Sequence, residues 1–160
     1  MEKRALITKQ TSYSQDKGTY GKKGNIAENG CGAIAAYNAC QLLERPFPFQ
    51  EALLVLGSSA LGHGRMGTNP FALLRFLKAK GLKLRLRRLS KTQDKKGVYI
   101  VLYLYSYKGR LSGHYVTLYG QDNCFLAYND SHDGQIKEYA SIRELKKIHK
   151  AKALWAWQIK

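Results

Sequence analysis

The chain has 160 residues and a mass of 18.1 kDa, with 44% hydrophobic residues and 27 Lys and Arg against 11 Asp and Glu, a formal net charge of +16. That length fits one domain over residues 1–160 with a core that needs no metal or disulfide, and no apolar run approaches the roughly 20 residues that span a bilayer. A field of this sign draws polyanions, so weak binding of nucleic acid, an anionic surface or an acidic partner is expected, and composition does not separate these.

The apolar part of the N-terminal segment, Ala5-Leu6-Ile7, is too short for a secretory h-region, and the chain reads as cytoplasmic. Cys31, Cys40 and Cys124 form no Cys-x-x-Cys or Cys-x-x-His pattern and cannot all pair with one another. Neither structural zinc nor a disulfide framework is expected, and no cofactor.

From Cys31 to about Glu44, Ala33, Ile34, Ala36, Tyr37, Cys40 and Leu43 recur at helical spacing, with Asn29 placed to cap the start. A second helix is predicted from Pro48, carrying Ala52, Leu53 and Leu56. A third has Thr68 or Asn69 as cap, Pro70 in its first turn and Gly81 as its end. The period then changes to two. Leu82, Leu84 and Leu86 alternate with Lys83, Arg85 and Arg87, the pattern of a strand with one wet, basic face.

Val98 to Tyr107 is β-branched and aromatic almost throughout, and a polar turn over 108–112 leads into a second run, His114 to Tyr119. Asp122-Asn123 turns the chain into Phe125 to Tyr128. After the polar stretch from Asn129 to Gly134, a short strand is expected near Ile136 to Tyr139. Ser141 caps a last helix reaching about His149, and Leu154 to Ile159 closes the chain as a strand. Helices first and antiparallel strands after make an α+β layout.

A nucleophilic cysteine acts as thiolate, so it needs an electropositive site and a base, and a helix N-terminus supplies the first. Cys31 opens the first predicted helix within Glu-Asn-Gly-Cys-Gly-Ala, where Gly30 and Gly32 allow a close approach and the Cys31 amide can serve an oxyanion. Among the four histidines, His114 follows Gly113 and begins a strand, a rigid platform for a base. Pairing of the His114 and Phe125 strands through the Asp122-Asn123 turn returns Asp130 beside His114, with Asn129 as the alternative orienting residue. His132, in the same polar loop, is the competing histidine. Cys40 and Cys124 read as inert thiols, and the aromatic and basic residues around Tyr103, Tyr105, Tyr107 and Lys108 read as strand before they read as a base-stacking surface.

Four segments, Asn-Ile-Ala-Glu-Asn-Gly-Cys-Gly-Ala-Ile-Ala-Ala, Gly-Thr-Asn-Pro, Gly-His-Tyr-Val-Thr-Leu-Tyr-Gly and Tyr-Asn-Asp-Ser, follow in that order from Asn25 to Ser131, and the likeness they carry covers Tyr20 to Asp130. Together they resemble the bacteriocin-processing (double-glycine) peptidase-like branch of the papain superfamily, in a free-standing form. The resemblance implies a papain-like fold, N-terminal helices packed on a C-terminal antiparallel sheet. It also implies Cys31 as nucleophile, His114 as base, Asp130 as orienting acid, and Gly67 to Pro70 as the loop before a cleft-lining helix. Members commonly carry Gln as oxyanion donor six residues before the nucleophile. Asn25 stands there in this chain, and Gln15 is a second candidate. Ala33 replaces a common proline, and Asp130-Ser131 an Asp-Pro step.

The expected activity is hydrolysis of a peptide amide through a Cys31 thioester, with a small-residue site such as Gly-Gly implied by the resemblance alone. The same three side chains serve an acyltransferase or amidase once water is kept from the thioester. A reading of another class is a catalytically silent basic domain that binds nucleic acid or an acidic partner.

Overall fold

The computed structural model describes residues 5–13, 18–88 and 95–160. A 3-10 turn at Gln10–Ser12 precedes a short hairpin of β1 (Thr19–Tyr20) and β2 (Gly24–Asn25), and a one-turn helix α1 (Ile26–Asn29) leads into α2 (Cys31–Leu42). Then come α3 (Phe49–Ser58), a 3-10 segment Leu61–Gly64 and α4 (Pro70–Ala79). The sheet is built from β3 (Leu84–Arg87), β4 (Gly97–Tyr107), β5 (Arg110–Gln121), β6 (Cys124–Tyr128), β7 (Lys137–Tyr139) and β8 (Ala153–Ile159), with α5 (Ile142–Ile148) before β8. The six strands run antiparallel in the order β3-β8-β4-β5-β6-β7.

The α+β expectation holds, with helices packed against a large antiparallel sheet, and the sheet is buried on both faces. On one face Val98, Ile100, Leu102, Tyr115, Trp157 and Ile159 meet Ala35, Ala36, Ala39, Leu56, Leu73 and Leu77 of α2, α3 and α4. On the other, Tyr99, Val101, Val116, Leu118 and Phe125 pack with Ile142 and Leu145 of α5. Double burial explains why β4 is apolar almost continuously instead of alternating. The run of small residues in α2 lets the helix lie close to β5, where the Thr117 hydroxyl donates to the Ala35 carbonyl at 3.1 Å inside the core.

Local chemistry sets the helix ends. Asn69 caps α4 by accepting from the Phe71 amide at 2.9 Å, with Pro70 at the first position. Gly81, at φ +76°, closes it: Gly81 N–H donates to Lys78 O and Leu82 N–H to Leu77 O, the two bonds of a Schellman ending. Leu82 is thereby spent on the helix end, and the basic strand starts two residues later than its alternation predicts. Ser141 caps α5 by accepting from the Glu144 amide at 3.1 Å, as expected. Asn29 does not cap α2. Gly30 occupies the N-cap without a side-chain bond, because the chain has already turned through α1. Among the described residues no helix is long and apolar enough to cross a membrane.

Candidate active site

Cys31 is the first residue of α2, so its side chain sits at the positive end of a 12-residue helix laid across the sheet. The last rung of the β5–β6 ladder is Thr117↔Tyr128. The β5 backbone before Thr117 therefore has a free edge, and the Tyr115 N–H there donates to the Cys31 sulfur, as does the Gly32 N–H. Burial pushes the Cys31 thiol up, but the His114 hydrogen bond and charge, with the two amides, outweigh it and hold the thiol below its ordinary value. Burial likewise pushes His114 down and is outweighed: the bond and charge of Cys31, the Asn129 carbonyl and the Asp130 charge raise it. Both shifts favour thiolate and imidazolium.

His114 Nε2 lies 2.6 Å from the Asn129 carbonyl oxygen. A carbonyl only accepts, so Nε2 carries the hydrogen, and Nδ1 is left as the nitrogen that exchanges a proton with Cys31. Asn129 stands one residue past β6 at φ +61°, a conformation Asn tolerates better than most side chains. This turn aims its carbonyl at the histidine.

The same turn gives the Asp130 carboxylate, expected beside His114 as its orienting acid, other hydrogen-bond partners. Asp130 accepts from Tyr103 Oη at 3.1 Å, from Tyr139 Oη, and from His149 Nε2 at 3.0 Å. Burial would raise the Asp130 carboxyl, but the bonds from His149 and Tyr139 and the charges of His149 and His114 hold it below its usual range. Asp130 acts on His114 through its charge.

Asn25 also has another occupation. Its Oδ1 accepts from the Glu28 amide at 2.8 Å and its backbone N–H donates to Asn29 Oδ1 at 3.2 Å, so the side chain caps α1. Gln15 lies outside the described residues. His132 lines the cavity described below, and its carbonyl accepts from Thr11 Oγ1 at 3.3 Å. Thr68 of the Gly67-Thr68-Asn69-Pro70 loop presses on Gly32, and its Oγ1 is 2.5 Å from Tyr20 Oη.

A cavity of about 740 Å³ opens over the histidine, lined by His114, Asn129, Tyr103, Tyr105 and Gln10 among others. Cys31 is not among the lining residues; 6% of its surface is exposed, and its sulfur is bonded to His114, which does line the cavity. Gln10, His149 and Tyr139 were not foreseen here. Gln10 comes from a segment without periodicity, and Tyr139 reads as strand. His149 carries no sequence signal, although its place at the end of α5, three residues past Lys146, was legible.

Helices packed against an antiparallel sheet in this order match solved structures. The fold is that of a bacteriocin-processing peptidase domain. The chain superposes on the peptidase domain of Streptococcus ComA, a bi-functional ABC transporter involved in quorum sensing, with a TM-score of 0.60 and 13% identity, over 88% of this chain and 97% of that one. It also superposes on a double-glycine motif protease from an AMS/PCAT transporter, solved with its leader peptide, with a TM-score of 0.52 and 13% identity over 81% and 84% of the two chains. No family model matches the sequence, and no curated protein matches it. The likeness to the bacteriocin-processing peptidase fold therefore lives in the architecture.

Proposed function

We propose that this chain is a cysteine peptidase-like hydrolase, a single domain over residues 1–160, in which Cys31 is the nucleophile and His114 the acid and base. The observation that carries the reading is the pairing of the Cys31 sulfur with the His114 imidazole at the head of α2, where the thiol is lowered and the imidazole raised. The orienting role falls to the Asn129 main-chain carbonyl, with Asp130 contributing charge.

In the reaction, the Cys31 thiolate attacks the scissile carbonyl carbon and the carbonyl π electrons move to oxygen. The Cys31 amide at the helix head supplies an oxyanion donor. His114 Nδ1–H gives its proton to the leaving nitrogen, the C–N bond breaks, and a thioester remains. Water, deprotonated by the now neutral Nδ1, attacks the thioester; the carboxylic product leaves and the thiolate–imidazolium pair returns. A peptide substrate is supported by the leader peptide bound to the AMS/PCAT protease.

The test is alkylation with iodoacetamide at mildly acidic pH, mapped by mass spectrometry. A thiol lowered by its histidine reacts there, while the ordinary thiols stay silent. Selective labelling of Cys31, lost in Cys31→Ala and strongly reduced in His114→Ala, is the expected result. Acid-side labelling that persists without Cys31, or equal labelling of all three cysteines, refutes the assignment.

A further inference from the structure

The segment before the first hairpin is stitched to both halves of the molecule. Ile7 and Asn38 of α2 exchange two hydrogen bonds, Ile7 N–H to Asn38 Oδ1 at 2.9 Å and Asn38 Nδ2 to Ile7 O at 2.8 Å, with Asn38 fully buried. Three residues on, Gln10 makes the same kind of clasp with Asn129. Its N–H donates to Asn129 Oδ1 at 2.9 Å, and its Oε1 accepts from Asn129 Nδ2 at 3.2 Å. The remaining donor, Gln10 Nε2, goes to the Ile26 carbonyl at 2.9 Å. That carbonyl also receives the Gly30 N–H, at 3.0 Å, and Gly30 is the residue before Cys31.

One buried side chain thus holds the two partners of the dyad at their roots. On the sheet side it fixes Asn129, whose carbonyl orients His114 at 2.6 Å. On the helix side it fixes the turn of α1 from which Cys31 emerges. We propose that Gln10 is a positioning residue for the Cys31–His114 pair, acting through Asn129 and the Ile26 carbonyl, and that the N-terminal segment is therefore part of the catalytic apparatus. The inference rests on the cysteine-hydrolase reading of the site and adds to it a residue that touches neither sulfur nor imidazole.

The energetic logic follows from burial. Gln10 and Asn129 are both buried, at 8% and 4% exposed, so an amide group that loses its partner there has little solvent to replace it. Asn129 without the Gln10 side chain keeps one of its two clasp bonds, and its left-handed backbone is held less tightly. The imidazole then samples orientations in which Nδ1 is not aimed at the sulfur, and the thiolate loses part of its counter-ion.

The experiment needs no substrate. The rate of Cys31 alkylation by iodoacetamide is followed against pH in the intact protein, in Gln10→Met, in Asn129→Gly and in the double variant, with thermal unfolding confirming that each is folded. Gln10→Met keeps the volume and removes the side-chain bonds. Asn129→Gly keeps the positive φ and the carbonyl and removes only the clasp.

The expected result is that each single variant moves the acid limb of the Cys31 profile upward by about one pH unit, a tenfold loss of rate at pH 5, and that the double variant loses clearly less than the product of the two, because the bond from Asn129 Nδ2 to Gln10 Oε1 is shared. Two results overturn the proposal. One is a wild-type profile in Gln10→Met while Cys31 remains the acid-reactive thiol, which leaves the dyad standing. The other is a double variant whose losses multiply, which makes Gln10 independent of Asn129. A natural chain whose Cys31 shows no acid-side reactivity overturns this proposal and the hydrolase reading together. Should Gln10→Met not fold, Gln10→Leu, which removes the same side-chain bonds to Asn129 and Ile26, is read in the same way.

Discussion

Replacing Gly32 by alanine tests how tightly α2, the helix that opens with Cys31, is docked. A Cβ built at Gly32 would stand 2.3 Å from Thr68 Oγ1, 2.4 Å from its Cβ and 2.7 Å from its Cγ2. Relief requires an opening of about 1 Å, since contacts closer than ordinary van der Waals distance are strongly repulsive. Thr68 is not free to give it. Its Oγ1 is bonded to Tyr20 Oη at 2.5 Å, its carbonyl accepts from Tyr115 Oη at 3.3 Å, and the next residue caps α4.

Moving Thr68 far enough breaks the bond to the buried Tyr20, at about 1–3 kcal/mol for polar groups left without partners. Residual overpacking adds about 1–3 kcal/mol, and alanine returns up to about 1 kcal/mol over glycine within a helix. The net expectation is a loss of about 2–4 kcal/mol, read as a fall in the urea midpoint with an unchanged slope. A Gly32→Ala protein within about 0.5 kcal/mol of the parent would show that the Thr68 loop yields easily and that the docking argument is wrong.

Thr117→Val removes the hydroxyl bond to Ala35 at nearly constant volume and should cost about 1 kcal/mol in denaturant unfolding. Asp130→Asn breaks a buried charge-assisted cluster with His149, Tyr103 and Tyr139, and a loss of about 3–5 kcal/mol is expected in the same assay. Because the Asp130 carboxyl is lowered on folding, its stabilisation is complete above the ordinary aspartate range and is lost as pH falls through the lowered value. An acid titration of stability should therefore be flatter in Asp130→Asn than in the parent. Burial pushes the Cys40 thiol up to about 11, so in the folded protein Cys40 should resist alkylation at pH 8 while Cys31 reacts, and both should react once urea is added.

The helices and strands were legible because each has a strong local signature. The α2 pattern from Ala33 to Cys40, the Asn69-Pro70 start and Gly81 end of α4, and the Ser141 cap of α5 all appear as read. The pairing of β5 with β6 through Asp122-Asn123 was deducible as well, and it brings the 129–130 region to His114. Which atom of that region meets the histidine was not. The outcome turns on the left-handed φ of Asn129, which exchanges a carboxylate for a carbonyl. Asp130 was then captured by Tyr103, Tyr139 and His149, drawn from three separate elements. Asn25 was read for its side-chain donor, and what the structure adds is the use of its acceptor, Oδ1 taking the Glu28 amide at the start of α1. Gln10 was out of reach: its partner Asn129 is 119 residues away, and no periodicity or spacing announces such a contact.

An imidazole held by a peptide oxygen has an evolutionary corollary. The genetic code offers no substitution that deletes a main-chain carbonyl, so the steering group at position 129 outlasts any exchange that tolerates the same backbone turn, whether to glycine or to aspartate. What selection can act on is the scaffold that aims it. Sites of this design are then expected to keep the backbone torsion at this position before they keep its letter, and to keep the letter itself where a buried partner such as Gln10 grips the side chain.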